Sequence, residues 1–222
     1  MKTLRHGLLS IAMLAMTCSV QAQIVIYSFG TSGSPTTNAS STASHVSASV
    51  FSGLNGGPAT GSGSPVYAAG SGGSFFTATT WTGAAPGSNY FQFTITPDSG
   101  YSISATTLTF GYRATPTGPT AYAIRSSADS YTANLASGSF TNDGNWSSVG
   151  SISITLSGLV SATTLRLYGS GASAAGGTLR VDDVGLSGSV TAIPESSTYA
   201  AILGTLTLLG VVIWRRRLQR AV

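Results

Sequence analysis

Phe91-Gln92-Phe93-Thr94-Ile95 places a large apolar side chain at every second position with a polar one between. A period of two is the repeat of an extended chain with one face on a core and the other in water. The same alternation recurs on both sides of this stretch. Leu108, Phe110 and Tyr112 alternate with Thr109 and Gly111, and Ile152, Ile154 and Leu156 alternate with Ser153 and Thr155. Residues 24–29 (IVIYSF) and 46–51 (VSASVF) read as earlier strands, and 122–125 and 165–168 as further ones. Phe140 and Trp146 flank a turn, Asn142-Asp143-Gly144-Asn145. Residues 52–74 are rich in glycine, serine and proline and predict long loops or a weakly ordered edge, with one short strand at Val66-Tyr67. No helical period interrupts this pattern until the carboxy-terminal tail. About ten short strands separated by Gly- and Pro-containing turns predict an all-β domain, a two-sheet β-sandwich of jelly-roll type.

The last strand contains a change of parity. Leu179 and Val181 define one face, whereas Val184 and Leu186 fall on the other unless one extra residue is inserted near Asp182-Asp183. A β-bulge at that point is therefore expected. The run Thr178 to Val184, followed by Leu186 and Gly188, resembles over about a dozen residues the final strand of many extracellular jelly-roll and carbohydrate-binding-module domains. Asp182 and Asp183 are the only adjacent acidic pair, and at a bulge both carboxylates could face one hard cation such as Ca²⁺. The competing reading is that a carboxylate there pairs with an arginine or accepts from loop amides.

Both ends of the chain read as targeting segments. Lys2 and Arg5 precede an apolar run from Leu8 to Ala15, and Val20-Gln21-Ala22 offers a small-residue cleavage site, so residues 1–22 read as a secretory signal peptide. At the other end Pro194 constrains itself and Ile193 to extended backbone. From Tyr199 to Trp214 sixteen residues carry no charge, about 24 Å as a helix, enough to span a bilayer that thins slightly. Tyr199 and Trp214 suit its two interfaces, and Arg215, Arg216 and Arg217 set its cytoplasmic end. The expected organisation is thus signal peptide 1–22, exported sandwich 23–192 and tail 193–222 with a transmembrane helix over 199–214.

The net charge of +4 belongs to these ends. Between them four arginines (113, 125, 166, 180) face five aspartates (98, 129, 143, 182, 183), a balance of −1. A basic face for nucleic acid is therefore not expected. The sole cysteine, Cys18, lies in the signal segment, so the exported domain has neither disulfide nor thiolate.

The tail, Pro194-Glu195 followed by an apolar helix and an arginine cluster, resembles the PEP-CTERM sorting signal of exported bacterial proteins. Pro194 and Glu195 match the first two motif positions, and Ser196 stands where the family usually has a second proline. The resemblance covers about thirty residues. It implies that the chain is a substrate of exosortase, held first in the inner membrane by its helix and then passed to the cell surface or extracellular matrix, often beside exopolysaccharide.

Catalytic constellations find little material in the domain. Residues 23–192 contain no glutamate, and their one histidine, His45, opens a strand within a Ser/Thr-rich stretch. A paired-carboxylate glycosidase or a histidine-centred triad is not expected. Tyr67, Trp81, Tyr90, Tyr101, Tyr131 and Trp146 include candidates for a sugar-stacking platform. Trp81 and Trp146 rank first because each lies beside turn-forming residues rather than within an alternating strand. The expected function is a non-catalytic structural or adhesive sandwich of the envelope or extracellular matrix; the alternative is a polysaccharide-binding module.

Overall fold

A computed structural model describes residues 22–31, 34–60, 74–83 and 88–219. The signal segment before Ala22 and the strand expected at Val66-Tyr67 lie outside the described residues. In chain order the first eight strands are β1 (Ala22–Tyr27), β2 (Gly30–Thr31), β3 (Ser34–Pro35), β4 (Ser41–Thr42), β5 (Val46–Ala48), β6 (Ser52–Gly53), β7 (Gly56–Thr60) and β8 (Ser74–Ala78). The next four are β9 (Tyr90–Pro97), β10 (Tyr101–Ala114), β11 (Ala121–Ser126) and β12 (Ala136–Ser139). The last four are β13 (Ser147–Ser148), β14 (Ile152–Leu159), β15 (Thr163–Ser170) and β16 (Leu179–Ala192). One helix, α1, covers Ser196–Gln219.

All pairings are antiparallel and form two main sheets. The larger runs β13-β10-β16-β1-β4, with β14 also on β10 and β8 on β16, and β7 outside β8. The smaller runs β12-β11-β15-β9-β5, with β6 also on β9. The chain is a β-sandwich, as the alternation predicted. Its spine is the pair β10 and β16, joined from Tyr101↔Ala192 to Ala114↔Leu179.

Each inward row comes from the alternation read in the sequence. Phe91, Phe93 and Ile95 of β9, Leu108 and Phe110 of β10, and Ile152, Ile154 and Leu156 of β14 are all buried. One end of the core is aromatic: Phe51 meets Phe29 and Phe76 edge-on with ring centroids 5.0 and 5.1 Å apart, and Tyr27 tilts against Phe93 at 5.3 Å. Burial of each such ring stabilises the fold by roughly 1.5–3 kcal/mol. Between the sheets, Phe51, Phe93, Phe110 and Leu165 help line an apolar void of about 10 Å³. Such a space holds no ligand and suits not even one well-bonded water.

The expected bulge is present. Thr109 faces Gly185 and Gly111 faces Asp182, so Phe110 alone opposes two residues, Asp183 and Val184. Asp183 takes a φ of 47°. The inserted residue restores parity, and Leu179, Val181, Val184 and Leu186 all point into the core.

β16 ends at Ala192, the Ile193 amide donates to the Gly100 carbonyl at 2.7 Å, and α1 begins three residues later. Leu203, Leu206, Leu208, Leu209, Ile213 and Trp214 of this helix are exposed. The helix is there, but among the described residues no helix is long and apolar enough to cross a membrane. The span expected over 199–214 lies on this helix, and the side chains of residues 196–202 lie outside the described residues.

Candidate functional site

Alternation that buries one row of β9 and β15 turns the other row outward. On the smaller sheet the outward positions of β9 are Tyr90, Gln92 and Thr94, and those of β15 are Thr164, Arg166 and Tyr168. The register sets Tyr90 against Tyr168, Gln92 against Arg166 and Thr94 against Thr164. On the far side of β15, Arg125 of β11 lies directly opposite Arg166. A polar and aromatic patch thus crosses three strands.

Arg166 is its centre. The guanidinium carbon lies 4.0 Å from the centroid of the Tyr90 ring and 3.8 Å from that of Tyr131. Its Nε donates to Oε1 of Gln92 at 3.0 Å, and Nη1 makes a long contact of 3.5 Å with the Tyr168 hydroxyl. Two cation–π contacts on a partly desolvated arginine are worth about 0.5–2 kcal/mol each. Burial opposes the charge, but the Tyr168 hydroxyl and the phenols of Tyr131 and Tyr90 outweigh it and hold the group above its ordinary range. Arg166 is a fixed cation in an aromatic clamp.

Tyr131 reaches this place from a folded loop. After β11 a single 3₁₀ turn, Ser127–Asp129, is followed by Ser130 and Tyr131 with φ of 60° and 61°. Two consecutive non-glycine residues in the left-handed region are strained. Several bonds hold them there. The Tyr131 amide donates to the Ser126 carbonyl at 2.8 Å, and Arg125 donates through Nη1 to the Tyr131 carbonyl at 2.7 Å and through Nε to Asn134 Oδ1 at 2.7 Å. Asp129 Oδ2 accepts the Ala133 amide at 2.8 Å and the Thr132 hydroxyl at 3.2 Å. Chiefly the Ala133 amide holds this carboxyl below the ordinary carboxylate range. Strain held by surrounding bonds next to a half-buried cation is the mark of a preorganised surface.

Of the two aromatic residues ranked first, the structure places neither on this patch. Trp81 is not a platform: it is 1% exposed, its ring meets Phe91 edge-on at 5.0 Å and its Nε1 donates to the Ala78 carbonyl at 2.9 Å. The turn beside it folds the indole inward over Gly169, where a Cβ would lie 2.7 Å from the ring. Trp146 is half-buried and rests edge-on against Phe75 of β8 at 5.9 Å. Tyr90 and Tyr131 belonged to the wider aromatic set, whereas Arg166 and Gln92 were missed. Their signal was parity: in a chain only 7% charged, Arg166 sits between Leu165 and Leu167 on the outward row.

Asp182 and Asp183 are both buried at the bulge, Asp182 completely. Asp182 Oδ1 accepts the Asp183 amide at 2.8 Å. A Ca²⁺ site takes six to eight oxygens. Among the described residues no group of three His, Cys, Asp or Glu side chains is placed to hold a metal. The local backbone bond corresponds to the alternative in which a carboxylate accepts an amide. Pro194 and Glu195 lie exposed between β16 and α1, and Ser196 is the first helical residue. Trp214, Arg215 and Arg216 are exposed, while the side chains of Tyr199 and Arg217 lie outside the described residues. His45 stacks on Tyr101 with centroids 3.8 Å apart and pairs through Nδ1 with Asp98 at 3.3 Å, an exposed contact at the β9–β10 turn.

No family model matches the chain, and no curated protein does. Among solved structures it is similar to the K1 cleaved adhesin domain of Lys-gingipain from Porphyromonas gingivalis W83, at 11% identity over 64% of this chain and 96% of that one, TM-score 0.36. It is also similar to a family 29 carbohydrate-binding module variant complexed with mannohexaose, at 12% identity over 76% and 92%, TM-score 0.39. A third likeness is to the carbohydrate-binding and catalytic modules of endo-1,4-β-D-xylanase 10B from Clostridium thermocellum complexed with xylohexaose. There the identity is 11% over 66% of this chain and 27% of that one, TM-score 0.40. At such identities and scores nothing about ligand or activity follows.

Proposed function

We propose that this chain is an exported, non-catalytic β-sandwich of jelly-roll type that binds polysaccharide at the cell surface or in the extracellular matrix. The observation that carries the binding reading is the clamp of Tyr90, Arg166 and Tyr131 with Gln92 beside it. Half-buried rings with fixed hydrogen-bonding groups on a rigid sheet suit a ligand that is a ring with hydroxyls. This favours polysaccharide binding over a purely structural role. The void between the sheets is too small to hold a ligand, so a ligand docks on a face. Glycan-array binding by the full-length chain in detergent, lost on Tyr131→Ala with the melting temperature kept, is the expected result. A chain that captures no glycan leaves a structural sandwich instead.

Delivery rests on the tail. We propose that Pro194 and Glu195 form a PEP-CTERM-type signal read by exosortase while α1 holds the chain in the inner membrane. Support comes from the placement of both residues, exposed and directly between the last strand and a helix whose exposed surface is apolar. An exposed apolar helix ending in Arg215 and Arg216 fits an anchor with its basic end in the cytoplasm.

A further inference from the structure

All four arginines of the folded domain stand in two directly opposed cross-strand pairs, Arg113↔Arg180 on the larger sheet and Arg125↔Arg166 on the smaller. Like charges directly opposite destabilise a sheet. Among the described residues no ion pair joins a carboxylate to Arg125 or Arg166. At Arg125↔Arg166 the supporting bonds leave a specific remainder. Arg125 uses Nε and Nη1 on Asn134 and Tyr131, and Arg166 uses Nε and Nη1 on Gln92 and Tyr168. The Nη2 group of each arginine keeps its two N–H donors without a hydrogen bond among the described residues. Tyr131 ties the pair together, its carbonyl on Arg125 and its ring on Arg166.

We infer that the polysaccharide bound on this face is acidic, a uronic-acid chain whose carboxylate is received between Arg125 and Arg166. The inference rests on the polysaccharide reading above and names its substrate class. Two rigidly held guanidinium groups with free in-plane donors match a carboxylate, which accepts two parallel N–H bonds. A bound carboxylate also offsets the like-charge repulsion between Arg125 and Arg166. A neutral glycan does neither.

The test uses the full-length chain in non-ionic detergent with EDTA, titrated with polygalacturonate, alginate and hyaluronate and with the carboxyl-reduced form of each. At least one acidic polymer is expected to bind about tenfold or more tightly than its reduced partner, the effect of one charge-assisted contact. Arg125→Gln and Arg166→Gln should each abolish that difference, while Arg113→Gln, the same charge loss on the other sheet, should keep it. Arg125→Gln is the milder change, and unaltered circular dichroism shows that the variant is folded. Equal binding of acidic and reduced polymers overturns the acidic assignment and leaves the polysaccharide reading standing. So does a preference untouched by Arg125→Gln, which assigns the attraction to the arginine-rich tail. Binding of no polymer of either kind overturns both.

Discussion

Tyr27 is buried among Phe29, Phe51 and Phe93, and its hydroxyl donates to the Ser49 carbonyl at 2.7 Å. Burial pushes its pKa above the ordinary value of 10.0. Between the two values the unfolded chain has released the proton and the folded chain still holds it, so unfolding is favoured as pH rises. Stability is therefore fully present below about pH 10 and falls above it. Tyr27→Phe should flatten this alkaline fall while costing about 1 kcal/mol at neutral pH for the lost hydrogen bond. Melts at pH 7 and pH 11 check both parts, and an unchanged alkaline slope would assign the effect to other groups, Tyr122 first, whose pKa burial also raises. Trp81 makes a different residue-scale prediction. Because the indole fills the core, Trp81→Ala should cost about 3–5 kcal/mol, seen in denaturant titration. A loss of glycan binding with stability intact would restore it to the surface.

At the scale of elements, β16 depends on one inserted residue. Removing Asp183 would slip everything after it by one position and turn Val184 and Leu186 to the wrong face. The deletion should abolish the cooperative melt, whereas Asp183→Gly, which accepts a φ of 47° without strain and preserves parity, should fold. A deletion variant melting at the wild-type temperature would show that the strand tolerates another register. The loop after β11 is the other element at issue, since its two left-handed residues aim Tyr131 at Arg166. Asp129, with its pKa held down by the Ala133 amide, stabilises that loop above the unfolded carboxylate pKa and loses its grip as pH falls through its lowered value. Glycan affinity should accordingly decline below about pH 4, before global unfolding. Asp129→Asn should carry the weakened affinity up to neutral pH.

For the whole molecule the relation between sandwich and tail decides location. The Ile193 amide is bonded to Gly100, so Pro194 and Glu195 follow the folded domain without a linker, and α1 begins at once. If the tail only anchors, replacing both residues with alanine leaves the chain where the apolar helix and its arginines put it. A processing enzyme instead needs the fixed backbone of Pro194 and the charge of Glu195. Pro194→Ala with Glu195→Ala should leave full-length protein in the inner membrane of a host that has exosortase, read by fractionation and immunoblot. Equal release of shortened wild type and double mutant, or equal release in a host lacking exosortase, would discard the sorting role.

The sequence alone determined whatever follows from local period and covalent order. Alternation at 91–95, 108–112 and 152–156 sets which side chains face the core, because parity is a property of the extended chain itself. The same counting located the bulge, since four apolar residues of two parities cannot share a face without an insertion. The helix of the tail was legible for the same reason, its residues being contiguous. Tertiary structure decided what depends on partners distant in the chain. Trp81 and Tyr131 are both aromatic residues near turns, and only packing shows one sealed over Gly169 and the other held out over Arg166. Arg166 and Gln92 are 74 residues apart. Their meeting, and the opposition of Arg125 to Arg166, follows from the register of β9, β15 and β11, which the buried rows on the opposite face impose.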